Sequence, residues 1–267
     1  MSAFAFSCLG SGSKGNATLI RCEQDLFLVD CGFSVKYIEQ CFLERNLDIH
    51  DLRAIFVTHE HSDHINGVAA LARRYDLPVY ASEGTCRSGK LDKVSKLVFL
   101  QLDRPLTISS EFFSDLSIMP VTVPHDARQA CQFIFTYQQK KLGVLTDLGS
   151  VSSHVLEHFS GLDALLLEAN HDVDMLFNGP YPYSLKQRVA SDWGHLSNEQ
   201  AASFLRQQDL TRLQVLVLGH ISEKNNDVNL VKSIFDGFAE HVDEIHYASQ
   251  SDGFAWIGIT SDQLTSA

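Results

Sequence analysis

No stretch of this 267-residue chain approaches the roughly 18 consecutive apolar residues that a membrane span requires, so a soluble protein with no membrane partner is expected. Basic residues are in deficit. The 21 Lys and Arg against 33 Asp and Glu leave a formal net charge of -12. That balance repels nucleic acid at long range and argues against a protein that coats DNA. It leaves room for a site in which bound cations supply the positive charge that meets a phosphate. The cysteines (Cys8, Cys22, Cys31, Cys41, Cys86 and Cys131) form no C-x-x-C pair, and several sit in apolar runs where a reduced thiol acts as a small hydrophobe. The N-terminal Met1-Ser2-Ala3-Phe4-Ala5-Phe6 lacks the basic flank of a secretory signal, and a cytoplasmic protein is expected. There is also no Pro-, Gly- or Ser-rich linker, no low-complexity tract and no short repeat, so residues 1–267 are read as one domain.

What is present is a sheet-forming pattern. Short β-rich runs at 3–9, 17–21 and 26–30 are separated by turns, a helix is expected over 34–46, and Arg53 to Thr58 reads as a buried strand. Helical spacing over 65–75 is followed by strands at 79–81, 96–102 and 116–123. The second half repeats this, with strands at 131–137, 141–146, 164–168, 213–218, 246–248 and 254–259. Its helices are expected over 152–159, 197–207 and 228–238, and residues 171–194 read as a loop with a short helix covering a site. Each half mixes hairpins with helices, which suggests an α/β (α+β) fold: an αββα four-layer sandwich of two sheets.

The chemistry is concentrated in His59-Glu60-His61-Ser62-Asp63-His64, which places four potential metal ligands in six residues just past a strand end. Imidazole and carboxylate bind Zn2+ at about 2.0–2.2 Å, and two such ions can share this loop if other segments complete their shells. His125, Asp147 and His220 each lie at or just past the end of an apolar strand. Strands of one sheet tend to present their C-terminal ends on a common rim, so these three are the natural remaining ligands. Gly10, Gly12 and Gly15 satisfy G-x-G-x-x-G, but a strand and not a helix follows. A tight turn near the metal rim explains them better than a dinucleotide site.

The His-x-His-x-Asp-His loop, Thr146-Asp147 and Gly219-His220 resemble the metallo-β-lactamase superfamily, whose fold is the αββα sandwich. The segments Gly10–Asn16, Leu28–Gly32, Thr58–His64, Glu168–Asp172, Gly194–Asn198 and Gly219–Asn226 together resemble its YycJ/WalJ branch and span nearly the whole chain. The resemblance implies a metal-dependent nuclease, a 5′-to-3′ exonuclease whose substrate is DNA. Carried over by position, it assigns His59, His61 and His125 to a first metal and Asp63, His64 and His220 to a second, with Asp147 bridging. The ions would be two per chain, Zn2+ or Mn2+, with Fe2+ also suited to this donor set. Asp63, beside a metal-activated water, is the candidate to take or orient its proton.

His195, just before the helix expected at Ser197, is a candidate phosphate contact or proton donor. Ser197 adds a helix N-terminus with free N–H groups for an anion. His171 reads as a group orienting a ligand or a substrate contact, and Asn225 as a substrate contact or a helix cap. Segments 84–96 and 183–190 are the candidate backbone contacts if DNA binds. Two rivals stay open: a hydrolase of a small cyclic phosphodiester, and a dinuclear iron redox protein, for which no electron-supplying domain is evident.

Overall fold

The structure, a computed structural model, describes residues 2–260. Strands β1 (Phe4–Gly10), β2 (Ala17–Cys22) and β3 (Asp25–Val29) lead to helix α1 (Val35–Glu44) and strand β4 (Leu52–Val57). Then come α2 (Ser62–Ile65), α3 (Val68–Tyr75), β5 (Val79–Ala81), α4 (Glu83–Cys86), β6 (Leu97–Phe99), β7 (Leu106–Ile108) and β8 (Leu116–Thr122). Strands β9 (Cys131–Tyr137) and β10 (Lys140–Leu145) form a hairpin, followed by α5 (Ser153–His158) and β11 (Ala164–Glu168). The chain continues through α6 (Val173–Asn178), α7 (Tyr183–Val189), α8 (Asn198–Arg206), β12 (Val215–Gly219), α9 (Val228–Phe235), β13 (Glu244–Tyr247) and β14 (Phe254–Gly258).

Two seven-stranded sheets result, in the orders β14-β1-β2-β3-β4-β5-β6 and β13-β12-β11-β10-β9-β8-β7. The inner strands β1, β2, β3, β11 and β12 are buried on both faces, which is why they read as nearly continuous apolar runs. In β11, Ala164 and Leu166 point between the sheets to join Phe27, Phe56, Phe133 and Val217, whereas Leu165 and Leu167 point outward beneath Phe204, Leu205, Val231 and Phe235 of α8 and α9. On the opposite side, Ile38, Phe42, Val68 and Leu71 of α1 and α3 cover Leu28, Ile55 and Val57. The layers are therefore helix, sheet, sheet, helix, as expected from the sequence.

Strand direction positions the site. In the second sheet β8 and β10 both run antiparallel to β9, and β10, β11 and β12 are mutually parallel. In the first, β1 and β3 both run antiparallel to β2, and β4 is parallel to β3. The C-terminal ends of β8, β10, β11 and β12 thus share one rim, and those of β1, β3 and β4 share another. Asp30, Asp147 and His220 leave these rims with φ of 61°, 52° and 53°. This left-handed region is uncommon for residues other than Gly, and such conformations cluster at functional sites.

Several elements differ from expectation. The helix expected over 65–75 breaks at Gly67, whose N–H donates to the Cys31 carbonyl and where a Cβ would overlap the Phe33 carbonyl oxygen. The chain there is pinned against the β3–α1 turn and cannot continue a straight helix. Residues 171–194 hold two short helices and not one; the Asp172 side chain caps α6 through the Met175 N–H, and Pro182 begins α7. The strand expected over 96–102 pairs only at Leu97–Phe99, and the helix expected to 238 tightens after Phe235 into a 3-10 turn. Among the described residues no helix is long and apolar enough to cross a membrane.

All six cysteines are free and buried. Burial raises the Cys8 thiol to about 11 and the Cys31 thiol to about 12, and it pushes Cys22, Cys41, Cys86 and Cys131 up as well. Since the thiolate is the reactive form, native protein at pH 8 is expected to show no fast reaction with a disulfide reagent, and all six thiols should react once it is unfolded in guanidinium. A rapid native thiol would contradict this packing.

Candidate metal centre

The loop from His59 to His64 follows β4, with His61 as the residue before α2 and Asp63 and His64 in its single turn. It is held from beneath. The His64 Nδ1 lies 2.7 Å from Asp30 Oδ2, the Thr58 hydroxyl donates to the same oxygen at 2.7 Å, and the Thr58 N–H donates to Asp30 Oδ1 at 2.8 Å. His59 Nδ1 is 2.9 Å from the Thr58 hydroxyl, which turns its Nε2 toward the cavity floor. The β1–β2 turn closes over the loop: Asn16 donates its N–H to the Asp63 carbonyl at 2.7 Å and its Nδ2 stands 3.0 Å from His64 Nε2. Gly32 sits so close behind that a Cβ would overlap the Asp63 carbonyl.

Three groups of ligand atoms gather here, each within 4.8 Å: His59, His61 and His125; His59, His64 and Asp147; and Asp147, Glu168, His195 and His220. The first matches the set assigned to one metal by resemblance. In the others Asp147 is the shared member, with Oδ2 3.2 Å from His64 Nε2 and Oδ1 3.1 Å from His220 Nδ1. Asp63 lies at the edge. Its Oδ2 is 3.5 Å from His64 Nε2, and it lines the cavity without joining any of the three groups.

The donor set fits divalent ions on two counts. His59 Nε2, Asp147 Oδ2 and His220 Nδ1 are buried without a hydrogen-bond partner. His220 Nδ1 is near enough to Asp147 but not aligned to bond it, and such groups in one pocket call for an ion. The charge balance agrees. Burial lowers His59 and His125 and so favours the neutral imidazole that ligates metal. Burial also disfavours charge on His64, His195 and His220, yet the Asp147, Asp30 and Glu168 carboxylates outweigh it and raise all three, His220 to about 10. The buried carboxylates thus demand positive charge, which ions would supply in place of protons.

Glu168, at the end of β11, was not singled out from the sequence. It is fully buried; its Oε1 stands 2.7 Å from His195 Nδ1, and its Oε2 accepts the Leu148 and Leu196 N–H groups at 3.3 and 3.0 Å. Burial opposes its ionisation, but His195 and His220 outweigh that and hold the carboxyl down to about 2. His195 is thereby anchored through Nδ1, with its ring on the cavity wall. A Cβ at the preceding Gly194 would overlap the carbonyls of Arg188 and Val189, so α7 packs directly on this turn.

The cavity above the floor measures about 360 Å3 and is lined by Asp63, Asp126, Tyr181, Arg188, His195 and Asn225 among others. His171 and Ser197 do not line it. His171 is 1% exposed and passes its carbonyl to the Asn198 N–H behind the wall. Ser197 caps α8: its hydroxyl accepts from the Gln200 N–H at 3.2 Å and its own N–H donates to Gln200 Oε1 at 2.9 Å. The capping box and His171 occupy the N–H groups of Ser197, Asn198 and Gln200, which corrects the expectation of free donors for an anion. Asn225 lines the cavity and does not cap α9, which Asp227 does. Segment 84–96 also stays off the wall, with Arg87 paired to Glu83, Lys96 to Asp76 at 2.6 Å and Lys90 donating to the Glu60 carbonyl. Segment 183–190 contributes Leu185, Arg188 and Val189.

Comparison with known proteins agrees with the fold. Residues 26–221 match the profile of the beta-lactamase superfamily domain. An exodeoxyribonuclease YycJ of Bacillus anthracis is 38% identical over 232 residues, covering 85% of this chain and 86% of that one. An exodeoxyribonuclease WalJ of Streptococcus pneumoniae is 40% identical over 230 residues, covering 84% and 83%. In structure, the metallo-beta-lactamase fold protein YhfI of Bacillus subtilis superposes with a TM-score of 0.73 at 16% identity, covering 95% of this chain and 99% of that one, a likeness of fold.

Proposed function

Since the chain belongs to the metallo-β-lactamase superfamily and, within it, to the branch of the YycJ and WalJ exodeoxyribonucleases, we propose that it is a metal-dependent phosphodiesterase that removes nucleotides from DNA ends, in the 5′-to-3′ direction. The observation that carries this reading is the convergence of an all-histidine ligand group with two carboxylate–histidine groups, His59 linking the first to one of them and Asp147 linking those two to each other. His59, His61 and His125 would hold one divalent ion, and His64, His220 and Asp147 a second, with Asp63 at its edge. Zn2+ and Mn2+ suit these donors, and Fe2+ is compatible. Bound there, divalent ions lower the pKa of water toward about 7 and polarise a phosphodiester.

The chain's own groups supply the rest. Burial works against charge on Asp63, but the hydrogen bond from His64 lowers its pKa, so it is a carboxylate able to accept a proton from water at the cavity floor. His195, fixed through Nδ1 by Glu168, presents Nε2 to the cavity, where it can protonate the departing sugar oxygen. Arg188, bonded to Asp126, stiffens the wall beside His61 and His125. The six unpaired cysteines suit a reducing, cytoplasmic setting.

The test is digestion of a 5′-phosphorylated duplex by chelator-stripped protein refilled with Mn2+ or Zn2+, beside an Asp63→Ala, His64→Ala double variant. Release of nucleotides from the 5′ end that needs metal and vanishes in the variant is the expected result. The compact cavity also suits a small cyclic phosphodiester; hydrolysis of such a compound with no action on DNA would replace the nuclease reading.

A further inference from the structure

Four cations near the cavity mouth are already engaged. Arg188 is bonded to Asp126, Lys14 lies 2.8 Å from Glu223, Lys186 donates to the Phe177 carbonyl at 2.7 Å, and the Lys224 ammonium stands 5.7 Å from the centre of the Tyr181 ring. With a net charge of -12 on the chain, a nucleic-acid strand gains little from phosphate contacts away from the cavity floor. Uncharged contacts are then the natural complement for the rest of the strand.

Aromatic surface is available in that place. Tyr181 lines the cavity together with Ser222, Asn225 and His220, and the Lys224 ammonium, 5.7 Å from its ring centre, lies over one face only. Trp193 is next to the wall in the chain: it is not itself a lining residue, but Gly194 and His195, which follow it, line the cavity, and its carbonyl accepts the N–H of the lining residue Asp126 at 2.8 Å. Asp126 in turn lies 3.6 Å from both His61 and His125. The Trp193 indole is 60% exposed and, among the described residues, makes no side-chain hydrogen bond or ring contact. Trp is highly buried on average, so an indole left open beside a catalytic cleft is a surface prepared for a partner. Ring faces bind every base alike, and such stacking needs no cation.

We infer that Trp193 and Tyr181 are stacking surfaces for unpaired nucleobases, so that the DNA end enters the cavity as a single strand. This rests on the phosphodiesterase reading and adds the form of the substrate to it. The cavity volume of about 360 Å3 is at the low end for small-molecule pockets, roughly 300–1,000 Å3, and suits one nucleotide and not a base pair.

The test is binding of a cleavage-resistant phosphorothioate oligothymidylate to metal-loaded protein, followed by fluorescence anisotropy. Trp193→Ala and Tyr181→Ala are each expected to weaken binding about tenfold, and Trp193→Phe to restore most of the loss. An abasic phosphorothioate of the same length should bind the unchanged protein no better than the oligothymidylate binds Trp193→Ala, and a blunt duplex should bind weakly. The salt dependence should be shallow, about 0.7 in logarithmic slope for each of one or two neutralised phosphates. In Trp256→Phe protein, where Trp193 is the sole indole, the oligothymidylate should quench the emission and the abasic strand should not. Equal binding of abasic and base-bearing strands, an unaffected Trp193→Ala, or no binding of any oligonucleotide would overturn the inference. Failure of the unchanged protein to digest ordinary DNA would instead sink the nuclease reading, with the titrations still deciding for or against stacking.

Discussion

Asp147→Asn is expected to lower metal-dependent nucleotide release by about 10³-fold and to leave the protein with fewer bound ions than the unchanged chain. The substitution preserves shape and removes one negative charge from a residue that is 1% exposed. That residue is shared by two of the three ligand groups and lies 3.2 Å from His64 Nε2 and 3.1 Å from His220 Nδ1. A neutral amide there would be a weaker ligand to a divalent ion and would balance less of its charge across a buried floor. Metal analysis after dialysis, with Mn2+ and Zn2+ separately, reads the loss without reference to turnover. Melting curves give a second reading, because an ion that binds only the folded chain stabilises it by mass action. The rise in Tm on adding metal should shrink in the variant. An Asp147→Asn protein that retained its full complement of ions and acted within tenfold of the original rate would remove Asp147 from the centre of the site.

Much of this site was legible because strand ends are legible. His59, His125, Asp147 and His220 each follow an apolar run, and β8, β10 and β12 do end on a common rim. The same reasoning applied to β3 and β11 points to Asp30 and Glu168, but both carboxylates are buried beneath the ligands, and their role becomes visible only when His64 and His195 are seen to turn toward them. Asp30 lies in the Leu28–Gly32 segment by which the sequence resembles the family, and that resemblance assigns it no role. His171 and Ser197, as candidate substrate contacts, show the opposite limit. They belong to suggestive motifs, yet the parallel bridge between them draws both into the wall, where the α8 capping box consumes the donors that a phosphate would need. Gly67 illustrates a third limit. The spacing over 65–75 matches α3 but not the start of α2 at Ser62, and the break between the two lies where Gly67 approaches the Phe33 carbonyl, a tertiary contact that no local pattern encodes.

Glu168→Gln is expected to lower the rate of DNA digestion about 10²-fold while leaving metal content unchanged. Glu168 is a positioning residue that acts through His195: its Oε1 faces His195 Nδ1 at 2.7 Å, so the carboxylate both orients the ring and favours the protonated imidazole. Glutamine keeps the volume and a hydrogen-bonding carbonyl, but it loses the charge that holds a proton on the ring. The effect should depend on what leaves. A deoxyribose oxygen is a poor leaving group and gains from protonation, whereas nitrophenolate departs readily without it. A nitrophenyl ester of a nucleotide should therefore be hydrolysed by Glu168→Gln within about threefold of the original rate, and by His195→Gln nearly as well. A loss equal for both leaving groups, or loss of bound metal in either variant, would instead make Glu168 and His195 part of the metal-binding framework, as their grouping with Asp147 and His220 within 4.8 Å also allows.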